Sequence, residues 1–474
     1  MVEKVIFALP DLSYENYTWT LQDEHNPASH PPLIASASPM SRSLDGDQQD
    51  KIPATLNING FNYAREAASQ VGASNPFGET LEPETVEDLT KWRREWLPQV
   101  EDLKIMLENF DPNAIKPGKW AKTLQYHDEE YRRVFSGIHR NAVGPSRSAV
   151  YKFLNSYTEQ YGENHRANAM ALLHGFPNLS LDRACALWDL SRIMRGDSSL
   201  HGLRDIDDLV ASTPSSIKFQ KEFHKMLDAF GITSNNGLQD LPAWIEGSPI
   251  PLSMIRSYAT QEDSKSPRES SLNQRKTRLS IETELRNTSK HTPVTEKLLH
   301  LMEMAQQLIP NLEDHNLLCD QQCVYSSRRR WLNIGTYLVN NGILAVNDDV
   351  FFYRRSELLE ALDGKSSISE TELKRRRELQ HEYRTMPPPL YLGLPPKNIQ
   401  ETVSVPMIGT VAQEGITQRM LKGIAASPGN HRGIARVFQS IDEASSLQEG
   451  EVLVLRALTP PWTPYVAVAG AIVT

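Results

Sequence analysis

Apolar residues recur every three or four positions through much of the chain, and this period restricts the fold more than any other feature. Val100, Leu103, Leu107 and Phe110 follow it, and Pro98 suits the first turn of a helix. The same period returns in Phe153, Tyr157 and Tyr161, in Leu181, Ala184 and Trp188 behind a predicted Ser180 N-cap, and in Leu298, Met302, Ala305 and Leu308. Helices that each have one apolar face predict a mostly α-helical domain.

Composition restricts the kind of partner. The 474 residues carry a net charge of -9, with 39% apolar and 23% charged residues. This acidic balance argues against a nucleic-acid or anionic-membrane partner, since both are bound through basic surfaces. Three cysteines are too few for a disulfide framework, which favours a reducing cytoplasm. We also expect no membrane span, because no run reaches about 18 apolar residues.

Three possible metal ligands lie close together in the sequence "DHNLLCDQQC". His315, Cys319 and Cys323 are spaced at i, i+4 and i+8, which places them along one helix face. Zinc sites of this kind need a fourth ligand, and none is visible in the sequence. We therefore expect two half-buried thiols and a capping histidine, and no metal site.

Two arginine-rich clusters lie in the helical region, at Arg328–Trp331 ("RRRW") and Lys374–Leu379 ("KRRREL"). Such clusters usually form solvated helix surface, which is the interpretation we favour. The alternative is a cationic wall for a phosphorylated substrate or a docking carboxylate. The sequence does not decide between these two roles.

Composition shifts divide the chain into four parts. Residues 1–77 are rich in Pro, Ser and His and predict an extended segment anchored by the aromatic residues Tyr17, Trp19, Phe61 and Tyr63. Residues 78–400 predict a helical domain. It contains a mobile loop near 260–274, a short strand Val350–Tyr353 and a following helix capped by Ser356. A linker at 401–414 follows a proline-rich stretch, and residues 415–474 are glycine-spaced and β-like.

Residues 415–474 contain three separated sequence motifs. A glycine-bearing loop, "GIAASPGNHRG", precedes a first strand, and "EVLVLRAL" reads as a second strand. A Thr/Pro loop, "LTPPWTP", then leads to the apolar strand "AGAIVT". No Gly-Lys-Ser/Thr occurs in the glycine loop, which excludes a P-loop.

In this order the three pieces resemble the start of the swivelling phosphohistidine domain of the phosphoenolpyruvate-utilising enzymes, which include phosphoenolpyruvate synthase, pyruvate phosphate dikinase and the rifampicin phosphotransferases. The residues that carry the resemblance are Gly423, Ala426, Ser427, Pro428, Gly429 and Gly433, followed by "EGEVLVLRALTPPWTP" and "AGAIVT". A looser resemblance extends upstream through "RRRWLNIGTYLVNNGILAVNDDVFFYRRSELLEAL". The expected fold is a mostly α-helical central domain followed by the N-terminal part of a β/β/α swivelling phosphohistidine domain. The resemblance implies that residues 78–400 form the acceptor-substrate domain and that residues 415–474 are the partial phosphohistidine domain.

The resemblance also implies where the chemistry lies. In the family, the strand that corresponds to "AGAIVT" leads to a histidine that accepts a phosphoryl group, so we expect that histidine beyond Thr474 and no catalytic residue within the chain. The candidate active-site loop residues are Thr459, Thr463, Ser427 and Gly429. His431 occupies a variable loop position in the family, and we do not expect it to be the carrier.

The nucleotide-binding part of the family is not evident. Nothing before Gly415 offers the glycine-rich hairpin, lysine and metal carboxylates of an ATP-grasp domain. We therefore expect no cofactor on this chain alone, with ATP and Mg²⁺ supplied through a separate ATP-grasp subunit or domain and a small molecule as acceptor. The function expected from the resemblance is that of a dikinase-type phosphotransferase component acting on pyruvate or a small hydroxyl compound. A non-catalytic scaffold or regulatory subunit is the alternative.

Overall fold

The structure is a computed structural model, and helices dominate it. The described residues are 15–21, 28–37, 55–65, 91–234, 237–247, 249–288, 292–365, 367–386, 388–394, 429–438, 441–455, 458, 462–466 and 468–474. The predicted linker at 401–414 lies outside them. Within the described residues, no helix combines the length and apolarity needed to cross a membrane.

A small antiparallel sheet forms around the N-terminal segment. Its strands are β1 (Thr18–Leu21), β2 (Thr55–Ile58), β3 (Phe61–Arg65) and β4 (Tyr391–Gly393), in the order β2-β3-β1-β4. Asn59 and Gly60 have φ angles of 53° and 81°, which suits the tight turn between β2 and β3. Trp19, Phe61 and Tyr63 are buried, so their predicted anchoring role is confirmed. The segment is nevertheless not simply extended, because β4 returns from the far end of the helical region to complete the sheet.

The helical region begins with α1 and continues through fourteen helices of the described residues before the second sheet. Their bounds are α1 Pro32–Ala37, α2 Lys91–Glu95, α3 Leu97–Glu108, α4 Trp120–Ile138, α5 Gly144–Tyr161, α6 Arg166–Ala171, α7 Leu179–Arg195, α8 Pro214–Phe230, α9 Pro249–Ala259, α10 Pro267–Thr288, α11 Pro293–His315, α12 Gln322–Asn340, α13 Arg355–Leu362 and α14 Glu370–Thr385. Val100, Leu103 and Leu107 are buried on α3, as their period predicts.

Several local predictions were wrong. The mobile loop expected near 260–274 is a short 3₁₀ turn, Asp263–Lys265, followed by the first turns of α10. A segment rich in charged and polar residues can still form a helix when only one side of that helix packs against the protein. The polarity of this segment alone therefore led to the wrong prediction of a loop. The strand expected at Val350–Tyr353 is absent: its first three residues belong to the 3₁₀ helix Asn347–Phe352, and Tyr353 is the C-cap of that helix.

Two helix starts also differ from prediction. The side chain of Asn178, not Ser180, caps α7 by accepting a hydrogen bond from the backbone N–H of Leu181. The helix expected to start behind Ser356 begins two residues earlier, at Arg355, where the carboxylate of Glu357 accepts from the backbone N–H of Arg354 at 2.7 Å. In both cases the helix itself was predicted correctly and its first residue was not.

A second sheet of three parallel strands forms near the end of the chain. It contains β5 (Ala435–Phe438), β6 (Val452–Leu455) and β7 (Ala471–Val473) in sequential order, with the one-turn helix α15 (Thr463–Val466) between β6 and β7. Leu453, Leu455, Trp462 and Tyr465 are buried in one cluster with apolar residues of α7, α8 and α9. The sheet is therefore packed against the helical region.

Among the described glycines of the helical region, Gly335 on α12 lies closest to the backbone of another element. A Cβ atom there would lie 2.1 Å from the carbonyl oxygen of Asn347, which begins the 3₁₀ helix. Overpacking of this kind typically costs ~1–3 kcal/mol. We expect Gly335→Ala to lower the free energy of unfolding by about that amount, measured by urea denaturation.

Gly202 provides the control for this prediction. Nothing lies within 4 Å of a Cβ atom at Gly202. Gly202→Ala should therefore change stability by no more than about 1 kcal/mol. Equal effects of the two substitutions would show that the contact between Gly335 and Asn347 does not restrict the packing of α12.

Candidate functional site

The parallel sheet has two edges of different character, and His431 lies at the edge where the strands begin. Its Nε2 lies 2.8 Å from the carbonyl oxygen of Gly450, which can only accept, so Nε2–H is the donor. A Cβ atom on Gly470 would lie 2.1 Å from that same ring nitrogen. The imidazole is therefore packed against the residues that precede β6 and β7, which is a structural position.

The opposite edge is where the strands end, at Phe438, Leu455 and Val473. In open parallel sheets, ligands bind outside the carboxyl ends of the strands. The connection that leaves β6 at this edge includes Trp462, which is buried, and then α15. This edge is the candidate active site. It lies at the opposite end of the strands from the residues that His431 contacts.

The four candidate loop residues are placed only in part. Ser427 and Thr459 lie outside the described residues. Thr463 is the first residue of α15, in the connection from β6 to β7, and its side chain is outside the description. Gly429 is exposed, has a φ angle of 131° and precedes His431 by two residues. The structure therefore associates Thr463 with the connection that follows β6 and Gly429 with the loop that precedes β5.

Side-chain contacts hold the connection after β6 against the helical region. The hydroxyl oxygens of Tyr465 and Ser253, on α15 and α9, are 3.5 Å apart. The rings of Trp462 and Phe438 have centroids 6.2 Å apart, which joins this connection to the end of β5. The carboxyl edge of the sheet is thus positioned by its packing on α9.

A groove of about 790 Å³ runs between α7 and α8. Its apolar lining includes Leu190, Ile193 and Met226. Its charged lining consists of the cations Arg192, Lys218 and Lys225 and the carboxylates Asp189 and Glu222, and Glu222 pairs with Lys225 at 2.8 Å. A volume of this size suits a small organic molecule, and three cations against two carboxylates suit an acceptor with negative charge. The sequence analysis did not single out α8, although the period of Phe219, Phe223, Met226 and Phe230 could have indicated it.

Arg328 and Arg330 of the "RRRW" cluster are buried and do not form solvated helix surface. The interpretation that we favoured from the sequence was therefore wrong for these two residues. Arg328 is buried, and its Nε lies 2.9 Å from a carboxylate oxygen of Glu246. Its Nη2 also lies 3.2 Å from Asp348. These charges are paired inside the protein, which argues against a cationic wall for a substrate at this position.

Arg330 forms a second buried pair. Its Nη1 lies 2.9 Å from one carboxylate oxygen of Asp128, and Arg355 lies 2.7 Å from the other oxygen. Burial lowers the pKa of Arg355 to about 10, and burial together with the charge of Arg330 lowers the pKa of His127 to about 4. One carboxylate therefore holds one buried guanidinium group, that of Arg330, and one partly buried group, that of Arg355, and the neighbouring imidazole stays neutral.

Arginines of the "KRRREL" cluster also form ion pairs with carboxylates of the same chain. Arg376 pairs with Glu357 and Glu372 at 2.7 Å each, and Arg377 lies 2.8 Å from Glu370. Arg376 is mostly buried, whereas Arg375 and Arg377 are more exposed. The Arg376–Glu357 pair connects α14 to the start of α13, and the other two pairs lie within α14.

The predicted ligand spacing of His315, Cys319 and Cys323 is not realised as one group. Cys319 and Cys323 are fully buried in an apolar cluster, more deeply than expected. Hydrogen bonding to Cys323, together with burial, raises the pKa of the Cys319 thiol well above its ordinary value. Cys319 therefore remains a protonated thiol at neutral pH.

Comparison with known proteins supports one family. Residues 139–313 match the family described as the rifampicin phosphotransferase fourth domain. An uncharacterized phosphotransferase, YvkC of Bacillus subtilis, is 26% identical over 354 residues, covering 71% of this chain and 41% of its own. Chondramide synthase of Chondromyces crocatus is 24% identical over 413 residues, covering 82% of this chain and 10% of its own.

A shorter match is closer in sequence. A probable phosphoenolpyruvate synthase of Methanocaldococcus jannaschii is 40% identical over 55 residues, covering 12% of this chain and 5% of its own. These matches support the phosphoenolpyruvate-utilising phosphotransferases as the family that this chain resembles. The chain spans less than half the length of the curated relatives named here.

The pairing of Asp128 with Arg330 generates a stability prediction. Replacing Asp128 by Asn leaves the buried guanidinium group of Arg330 and the partly buried group of Arg355 without a carboxylate, and breaking a buried pair typically costs ~3–5 kcal/mol. We expect Asp128→Asn to lower the free energy of unfolding by about that amount, measured by chemical denaturation.

An exposed aspartate–arginine pair serves as the matched control. Asp189 accepts two hydrogen bonds from Arg268, and the two side chains are 57% and 56% exposed. Asp189→Asn should cost only ~0–1 kcal/mol, because exposed pairs contribute little. A cost for Asp128→Asn within the range of this control would contradict the structural role of the buried pair.

Proposed function

We propose that the chain is part of an ATP-dependent phosphotransferase of the dikinase type. In this proposal, β5, β6 and β7 are the first strands of a swivelling phosphohistidine domain, and the helical region holds the acceptor. The phosphorus–nitrogen bond of a phosphohistidine breaks as a hydroxyl or enolate oxygen of the acceptor attacks phosphorus. A hydroxyl acceptor loses its proton to solvent or a base in this step, and the imidazole leaves neutral after protonation.

The observation that carries the proposal is the packing of the parallel sheet on α7, α8 and α9. Leu453, Trp462 and Tyr465 share a buried cluster with Trp188 and Phe223, which lie in the region that matches the rifampicin phosphotransferase domain. A carrier strand and an acceptor region must meet for transfer to occur. Their common core supports the assignment of the two parts to one transfer reaction.

We propose that the carrier histidine is the one that follows β7 in the family's order of motifs, and that His431 is not the carrier. Support comes from the position of His431 at the edge of the sheet where the strands begin, with Nε2–H engaged by Gly450. We also propose that ATP and Mg²⁺ are bound by a separate ATP-grasp subunit or domain. The three free cysteines fit a reducing cytoplasm.

We place the acceptor in the groove between α7 and α8. Its size, apolar lining and two lysines support a small molecule that carries some negative charge. Pyruvate meets this description, and rifampicin is suggested by the name of the matching domain. A scaffold without catalytic function is less favoured, because the relatives are named as phosphotransferases and synthases.

Labelling with radioactive ATP tests the carrier assignment. We expect the 474-residue chain to acquire no acid-labile, base-stable phosphate from β-labelled ATP, with or without an ATP-grasp subunit or domain. A chimaera in which β7 continues into the phosphohistidine segment of a phosphoenolpyruvate-utilising enzyme should be labelled only when that enzyme's ATP-grasp domain is present. Labelling of the unextended chain that is lost in His431→Gln would contradict the assignment and identify His431 as the carrier.

The groove is tested with the labelled chimaera. Pyruvate or rifampicin should release its phosphoryl group, and Ile193→Arg, which fills the groove, should slow this release without reducing labelling by ATP. Ile217→Arg is the control, because Ile217 is 56% exposed on α8 and does not line the groove. Equal rates for the two variants would place the acceptor elsewhere.

A further inference from the structure

Two turns of π-helix face each other in the helical region, remote in sequence from the parallel sheet. One, His139–Val143, joins α4 to α5, and the other, Asn316–Gln321, joins α11 to α12. A π-helical turn inserts an extra residue into a helix and often occurs at functional sites. His139 opens the first turn, His315 directly precedes the second, and Asp320 lies within the second.

The donor atoms of these three side chains converge. Nε2 of His139 lies 3.4 Å from Oδ1 of Asp320, and Nε2 of His315 lies 3.6 Å from Oδ2. One ligand atom from each residue falls within 4.8 Å of the other two. Two ligands that each lie about 2.1 Å from one tetrahedral ion are roughly 3.4 Å apart, so a small closure of this group would create a coordination site.

Backbone hydrogen bonds set the tautomer of both histidines. Nδ1 of His139 lies 2.8 Å from the carbonyl oxygen of Phe135, and Nδ1 of His315 lies 3.0 Å from that of Asn311. A carbonyl oxygen can only accept, so each Nδ1 carries the proton and each neutral ring presents the Nε2 lone pair towards Asp320. Metal-binding histidines are commonly oriented by a second bond of this type.

The carboxylate between the rings is incompletely satisfied. Oδ1 of Asp320 is buried and has no hydrogen-bond partner within the described residues. An enclosed carboxylate without a full set of partners is costly, and a bound cation would compensate it.

We propose that His139, His315 and Asp320 bind a divalent transition-metal ion of the Zn²⁺ type. Two imidazole nitrogens and one carboxylate oxygen suit zinc better than magnesium, which prefers oxygen ligands and retains its waters. Solvent would complete the coordination, since the three side chains remain 12–21% exposed. The ion would join the α4–α5 connection to the α11–α12 connection, and the cysteines would take no part.

Metal titration of the untagged chain tests this proposal. After dialysis against a chelator, the chain should bind one equivalent of Zn²⁺ or Co²⁺, and its melting temperature should rise with Zn²⁺. His315→Gln and Asp320→Asn should each weaken Co²⁺ binding by more than the roughly 10–100-fold that loss of an outer-shell partner costs. Magnesium should not compete at equal concentration.

His224→Gln is the matched control. Nδ1 of His224 lies 2.9 Å from the carbonyl oxygen of Gln220, the same local arrangement on an exposed part of α8. Affinity should be unchanged in this variant. In the double variant Cys319→Ala, Cys323→Ala it should fall by no more than the roughly 10–100-fold of an outer-shell partner, because the Cys319 side chain hydrogen-bonds Asp320. The proposal fails if His315→Gln and Asp320→Asn keep the native circular dichroism spectrum and bind Co²⁺ as tightly as His224→Gln does.

The visible spectrum of bound Co²⁺ makes the test independent of how well the variants fold. The wild-type chain should show the intense bands of a low-coordinate site with nitrogen and oxygen ligands. A thiolate-to-cobalt charge-transfer band that disappears in the double cysteine variant would move the ion to Cys319 and Cys323 and overturn the proposal. A weak octahedral spectrum, or none, would overturn it as well.

Discussion

The buried polar face of α12 is the constraint on which the arrangement of the helical region depends. From this one helix, Arg328, Arg330, Ser326 and Asn333 make polar contacts to four other parts of the chain. The partners are Glu108, at the end of α3; Asp128, on α4; Glu246, before α9; and Asp348, in the 3₁₀ helix after α12. A buried guanidinium group tolerates only a few positions of its carboxylate partner, so these pairs fix the relative placement of the elements that carry them.

Sequence reasoning predicted what depends on local order and missed what depends on distant partners. The helical class and the buried face of α3 follow from the period of Val100, Leu103 and Leu107. The same reasoning gave the wrong role to Arg330, because Asp128 is 202 positions away and nothing near Arg330 in sequence announces it. His315 was recognised as a possible ligand, but its neighbour His139 is again remote in sequence and could not be seen.

The direction of the parallel strands explains why His431 is a candidate phosphoryl carrier in the sequence but not in the structure. In the sequence it follows the serine, proline and glycine of a loop that resembles part of a phosphotransfer site. In the order β5-β6-β7, parallel pairing brings the starts of all three strands to the same side of the sheet. His431, which precedes β5, therefore contacts Gly450 and Gly470, which precede β6 and β7, and does not lie near the ends of the strands. Topology, which a loop motif does not encode, determines the edge at which each residue lies.

The packing of this sheet on α7, α8 and α9 also restricts how a carrier could move. Leu453, Leu455, Trp462 and Tyr465 are almost completely buried, and exposing one large apolar side chain costs ~1.5–3 kcal/mol. Lifting the sheet away would expose several of them together with their helical partners. A swinging movement at this joint would therefore require another apolar surface to receive the sheet. Without such a surface, the sheet would move together with α7, α8 and α9, and the flexible joint would lie elsewhere in the protein.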